Sequence, residues 1–204
     1  MPIESSSQRR LPIQNRSRER VERILAVATA LIAENGSDAL RMGEVAQKAG
    51  ISIGSLYQYF PDKASIIRVL AERYNAEGRA CIEAELAEVR DVEGLRQAFS
   101  GLVDTYYGLF LSEPVMRDIW SGTQADKGLA EIELADSKRN GGLLANVLQR
   151  LSPQADPSAL STMAFLIMHL GEATMRTAVA LDRTEGDALV EAYKRMALAQ
   201  LVLP

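Results

Sequence analysis

One cysteine, Cys81, and one histidine, His169, are all that 204 residues offer of the two side chains most used to bind zinc. The lone thiol excludes a disulfide framework and any multi-cysteine zinc site. The lone imidazole removes the ligand sets of most metal enzymes, so neither a metal nor a cofactor is expected. Long hydrophobic runs are missing too. The longest nearly apolar stretch, Ile24 to Ala33, has ten residues and includes Thr29, whereas a membrane-spanning helix needs about 20. The N-terminus carries Arg9 and Arg10 but no apolar signal core, so a cytoplasmic protein without membrane contact is expected. Basic charge is not in excess. With 23 Lys+Arg against 27 Asp+Glu the net charge is −4, which excludes a histone-like DNA coat.

The composition is otherwise that of a soluble globular chain, 47% hydrophobic and 25% charged, and long enough to bury a sizeable core. The charge is unevenly spread. Residues 1–65 hold nine basic and seven acidic side chains, and the remainder holds 14 and 20. A mildly basic head on an acidic body raises the question of nucleic acid.

Residues 1–15, with Pro2, three serines and Pro12, have no hydrophobic period and are expected to form a flexible arm. From Arg16 the pattern turns helical, with Val21, Ile24, Leu25, Ala28, Leu31 and Ile32 on one stripe. Gly36 ends that helix. A second short helix carries Met42, Val45, Ala46 and Ala49, and ends at Gly50. Ser52 is placed to cap a third, whose inner face is Leu56, Tyr59 and Phe60. Asp62 caps a fourth, carried by Ile66, Ile67, Leu70 and Tyr74 to about Arg90. Beyond Asp91 all is helical, with breaks at Pro114, Gly122 to Gly128, Pro153 to Pro157 and Asp182 to Gly186. No strand pattern appears. The fold class is all-α: three short helices, then a bundle of about six longer ones.

Ala49-Gly50-Ile51-Ser52 joins the second and third helices with the spacing of a helix-turn-helix, whose second helix enters the major groove of DNA. The wider run Glu44-Val45-Ala46-Gln47-Lys48-Ala49-Gly50-Ile51-Ser52-Ile53-Gly54-Ser55-Leu56-Tyr57-Gln58-Tyr59-Phe60-Pro61-Asp62-Lys63 closely resembles the signature of TetR-family transcriptional regulators. The resemblance is strong over residues 18–70 and only architectural beyond. It implies a DNA-binding domain over 16–61 and a ligand-binding and dimerisation domain over 62–204. It also implies that Tyr57 and Lys63 clamp the phosphate backbone.

Physical chemistry supplies roles for the neighbours. Gly54, without a Cβ, allows close approach to DNA. Ser52, Ile53, Ser55 and Gln58 lie on or near the face that meets bases; Gln58 suits adenine and Ile53 a thymine methyl. Arg18 and Arg20 adjoin the first helix and are candidates to reach a minor groove, whereas Arg9 and Arg10 are at least as well read as solvated. Two positions depart from the family pattern. Arg41 stands where a capping Ser or Thr is usual; it can contact phosphate but cannot cap. Ile53 stands where many members carry a basic residue.

An enzyme reading has one motif. Gly50-Ile51-Ser52-Ile53-Gly54 matches G-x-S-x-G, the nucleophile elbow of serine esterases, but that elbow needs a preceding strand, and Val45 to Ala49 reads as helix. No enzyme activity is expected. His169 has no apparent ligand cluster, and Glu172 is expected to pair with Arg176. Cys81 reads as a buried small apolar residue.

For the last two helices, Ser158–Leu181 and Asp187–Leu203, the resemblance implies a four-helix interface with a second copy. Ala164, Ile167, Gly171, Met175, Ala178, Tyr193, Met196 and Ala197 are its expected members. The resemblance further implies a small-molecule pocket between the middle helices. Tyr74, Phe99, Tyr106, Phe110, Met116, Trp120 and His169 are its expected wall. The resulting expectation is a homodimeric repressor that a small apolar or aromatic effector releases from a palindromic operator in double-stranded DNA. An architectural DNA-binding protein without effector is the alternative.

Overall fold

The computed structural model describes residues 7–121 and 126–201, with the backbone alone described for 7–14. Every described element is a helix: α1 (Ser7–Asn35), α2 (Met42–Lys48), α3 (Ile53–Tyr59), α4 (Lys63–Ala87), α5 (Val92–Ser112), α6 (Pro114–Ser121), α7 (Lys127–Leu151), α8 (Pro157–Ala178) and α9 (Arg183–Gln200). The all-α reading holds. The chain divides into two compact units, residues 1–70 and 71–204, and the uninterrupted α4 contributes to both.

In the first unit, Ile24, Leu25, Ala28, Leu31 and Ile32 of α1 are buried with Val45, Ala46 and Ala49 of α2, Leu56 of α3, and Ile66 and Leu70 of α4. Each large apolar side chain so covered contributes about 1.5–3 kcal/mol. Two sequence expectations change here. The helix begins at Ser7, so residues 7–15 continue α1 instead of forming an arm. Extending an existing helix costs far less than nucleating one, and Gln8, Arg9, Arg10 and Leu11 are good helix formers. Residues 1–6 of the expected arm lie outside the described residues. At 29 residues, α1 is also not short, and α6, at 8 residues, is not long.

In the second unit, α7 lies close against α8. A Cβ on Gly141 would stand 2.8 Å from Phe165 Cα, so the missing side chain sets that approach. Gly186 had the look of a helix breaker, yet it lies within the first turn of α9. Asp182 caps that helix by accepting from Thr184 and Glu185 N–H, and a Cβ on Gly186 would meet Ala178 O at 2.5 Å. Arg96 Nη1 donates to Leu198 O at 2.7 Å and Lys194 pairs with Asp104 at 2.6 Å, joining α5 to α9.

Candidate functional site

The turn between α2 and α3 closes through two backbone bonds. Gly50 N donates to Gln47 O at 3.2 Å and Ile51 N to Ala46 O at 3.1 Å. This Schellman closure puts Gly50 at φ 66°, where a side chain would be strained. Ser52 then caps α3, its Oγ accepting from Ser55 N at 3.1 Å, and Leu56 and Phe60 anchor the helix with 0% and 4% exposure. Ser52, Ile53, Gly54, Tyr57 and Gln58 are left on the outer face, with Ser55 half-buried. Nothing in the protein comes within 4 Å of a Cβ built on Gly54, so packing does not require glycine there.

Lys63, the first residue of α4, donates to Asp38 O at 3.0 Å and Ser37 O at 3.4 Å. Two of its three donors thus tie α4 to the loop after α1. Arg41 is exposed and donates to Asp38 O at 3.0 Å; as expected it makes no cap for α2. Arg18 is exposed on α1. Tyr59 is half-buried; a hydrogen bond with Ser17, and beyond it the Arg20 charge, hold its phenol below the ordinary value against the opposing effect of desolvation. Arg20 therefore serves Tyr59. The esterase motif finds no support in local structure, since α2 precedes Ser52 and its hydroxyl is a cap.

Within the second unit, α4, α5, α7, α8 and Tyr193 of α9 enclose a cavity of about 80 Å³. Leu86, Phe99, Val103 and Leu144 form its apolar wall. Of the expected residues Tyr74, Phe99 and Tyr106 line it, whereas Phe110, Met116, Trp120 and His169 do not. Phe110 packs behind Tyr106, ring centres 5.1 Å apart, and Trp120 sets its edge against Tyr74 at 6.2 Å. Met116 is buried, and His169 stacks on Phe165 at 5.6 Å. A large side chain on a helical stripe signals burial, and the layer behind a cavity is buried as fully as its wall.

The cavity also has a polar end, Arg79, Asp136, Asn140 and Glu172, which no apolar stripe of the sequence marks. Glu133, Asp136, Ser137 and Asn140 recur at i, i+3, i+4 and i+7 on α7, continuing the buried face of Leu129, Leu144 and Leu148. A polar stripe in line with an apolar one was the available signal. Arg79 Nη1 pairs with Asp136 Oδ1, and Asn140 Nδ2 donates to Asp136 Oδ2 at 2.9 Å. Burial raises the Asp136 carboxyl, with Arg79 opposing.

The expected Glu172–Arg176 pair is not made. Arg176 Nη1 bonds Glu133 Oε1 at 2.9 Å, and Glu172 Oε2 accepts from Ser137 Oγ at 2.8 Å. A contact across α7 and α8 displaces the local one because Glu133 is buried and its carboxylate needs a partner. Burial pushes Glu172 up to about 8. Ser137 Oγ also lies 3.1 Å from His169 Nδ1. His169 is thus not isolated, as the sequence suggested: it gathers with Glu133 and Glu172, donor atoms within 4.8 Å of one another. Arg176 and Ser137 already engage both carboxylates. Cys81 is exposed at the mouth of the cavity, not buried.

Seven of the eight residues expected at a dimer interface are buried within the chain's own fold: Ala164, Ile167, Gly171, Met175, Ala178, Tyr193 and Ala197. Met196 alone is exposed, at 50%, with Leu166 at 52%. Periodicity marks a buried face without saying whether its own chain or another copy covers it.

Residues 24–70 match the family described as bacterial regulatory proteins, tetR family, and residues 93–204 match the tetracyclin repressor-like C-terminal domain. The chain belongs to the TetR family. TetR-family relatives include the transcriptional repressor KstR of Rhodococcus jostii, 38% identical over 69 residues, 32% of this chain and 32% of that protein. The chain therefore aligns with about a third of that relative. A TetR-family regulator from Streptomyces coelicolor has the same fold, with TM-score 0.65 and 24% identity over 90% of this chain and 99% of its own. RolR in complex with resorcinol is similar at TM-score 0.64 and 18% identity, over 94% and 97% of the two chains. No described helix is long and apolar enough to cross a membrane.

Proposed function

We propose that the protein is a homodimeric transcriptional repressor that binds a palindromic operator and leaves it when a small apolar or aromatic effector enters the cavity of the second unit. The outer face of α3 carries the reading. Ile53 and Tyr57 are 45% and 50% exposed on a helix whose inner face is sealed, an arrangement a folded protein retains when the face meets something else. In the major groove, Gln58 pairs with adenine and Ile53 packs on a thymine methyl. Tyr57 gives its O–H to phosphate, with Ser52, Ser55, Arg18, Arg41 and the remaining donor of Lys63 around it.

The effector reading draws on the mostly apolar cavity and on RolR, a protein of the same fold with resorcinol bound. A purely architectural role has no use for such a cavity. Uninterrupted α4 carries Lys63 at its start and Tyr74 and Arg79 on the cavity wall, so displacing α4 at the cavity moves the lysine. The copies meet through the exposed Leu166 and Met196 of α8 and α9. One helix-turn-helix contacts too few bases for useful specificity, and two reading successive major grooves suffice.

Selection of operators from randomised DNA tests the reading. A pseudo-palindrome with half-sites about one helical turn apart is expected; enrichment of no sequence would overturn it. Coupling is reciprocal: an effector that weakens operator binding by about 5–150-fold is itself weakened as much by operator.

A further inference from the structure

One atom of the cavity's polar end is left without a partner by its own protein. Asn140 is 5% exposed and lies on the cavity wall. Its Nδ2 donates to Asp136 Oδ2 at 2.9 Å, which fixes the amide, because the reverse orientation would set its oxygen against a carboxylate. Oδ1 therefore faces away from Asp136, and it has no hydrogen-bond partner. A buried acceptor with no donor destabilises the empty state, and a bound molecule that supplies the donor relieves it.

The surrounding charges narrow what that molecule is. Arg79 is paired with Asp136 and Arg176 with Glu133, so each of these cations already holds a carboxylate. Glu172 is hydrogen-bonded by Ser137, and its burial favours the neutral acid. An added anion would face the Asp136 carboxylate, and Arg79, the cation on that wall, is already paired with it. Tyr106, on the same wall, keeps its proton because it is buried and stands near Glu172 and Asp136. It is a lasting O–H on the cavity wall.

We infer that the effector is an uncharged, largely apolar molecule bearing a hydroxyl, which donates to Asn140 Oδ1 while its hydrocarbon part lies against Phe99, Val103 and Leu144. The inference rests on the cavity being the effector site, as proposed above.

Four probes of one shape test it by calorimetric titration of the full chain: para-propylphenol, para-propyltoluene, para-propylbenzoate and para-propylbenzylamine. The phenol should bind at least about tenfold tighter than the toluene, whose methyl group replaces the hydroxyl at nearly equal size. The anion and the cation should bind more weakly than the phenol. In Asn140→Leu the phenol should lose its advantage while the toluene binds as well as before. Equal binding of phenol and toluene to the wild type overturns the inference and leaves the cavity reading intact. The tightest binding by the benzoate or the benzylamine overturns it too. Absence of binding by all four overturns both. If Asn140→Leu does not fold, the wild-type ratio decides, since it needs no variant.

Discussion

Tyr193 reaches across Gly171 to donate its phenol O–H to Ile167 O at 2.7 Å. A Cβ on Gly171 would stand 2.8 Å from that phenol oxygen and 3.2 Å from Cζ. The glycine and the tyrosine are therefore one feature of the α8–α9 contact. Gly171→Ala should lower the unfolding free energy by about 1–3 kcal/mol, the usual result of overpacking. Tyr193→Phe should also destabilise, because Ile167 O loses a donor. The double variant should be less destabilised than the sum of the two, since the phenol oxygen that collides is gone. Urea denaturation of the four proteins measures the coupling, and strict additivity would refute it.

Assembly is tested on the outer surface. Leu166→Glu and Met196→Glu place charges on residues that are about half exposed, so the fold should survive. Sedimentation at micromolar concentration should show monomers for the variants and dimers for the wild type. A monomeric wild type would remove the basis for the interface.

DNA contacts separate by their effect on selectivity. Gln58→Ala should relax base preference at one position, at a cost of about 1–3 kcal/mol. Lys63→Ala should weaken binding to all sequences and lower the salt slope by roughly one unit per half-site. It should also cost up to about 1 kcal/mol of stability, because Ser37 O and Asp38 O each lose one of their two donors. If the two variants gave the same selectivity on randomised DNA, these roles would be wrong.

Glu172 makes stability depend on pH. Its carboxyl titrates at about 8 in place of the ordinary 4.5, from burial first, then from Glu133 and Asp136, with Ser137 and Arg176 opposing. Ser137 links it to His169, and its charge reaches Tyr106 and Tyr193. Between those values the folded chain holds a proton that the unfolded chain has lost. The contribution is full below 4.5 and fades as pH rises through about 8. Glu172→Gln should therefore gain stability relative to the wild type as pH increases across this window. Urea midpoints that stay parallel throughout would show that Glu172 titrates normally.

The fold and the exposed face of α3 were both legible, for the same reason: local chemistry decides them. The capping Ser52, the turn at Gly50 and the stripe from Ile24 to Ile32 act within a few residues, and the structure repeats them. The cavity was half legible. Tyr74, Phe99 and Tyr106 line it, but Trp120 and Phe110, equally large and apolar, stand one layer back. Position behind or before a void is a property of several helices at once. The polar end was hidden for another reason: Arg79 meets Asp136 across 57 positions of chain, and no spacing rule reaches that far. Arg176 likewise chose Glu133 over Glu172, a neighbour four residues away on its own helix.

The cap on α3 has a consequence for how Ser52 can speak to DNA. A hydroxyl carries one hydrogen and two lone pairs, and one lone pair already receives Ser55 N–H. One hydrogen and one lone pair are left, so toward a duplex Ser52 could still give to a phosphate oxygen or accept from a base amino group. The bond that starts α3 thereby leaves its N-cap residue one donor and one acceptor for any outside partner.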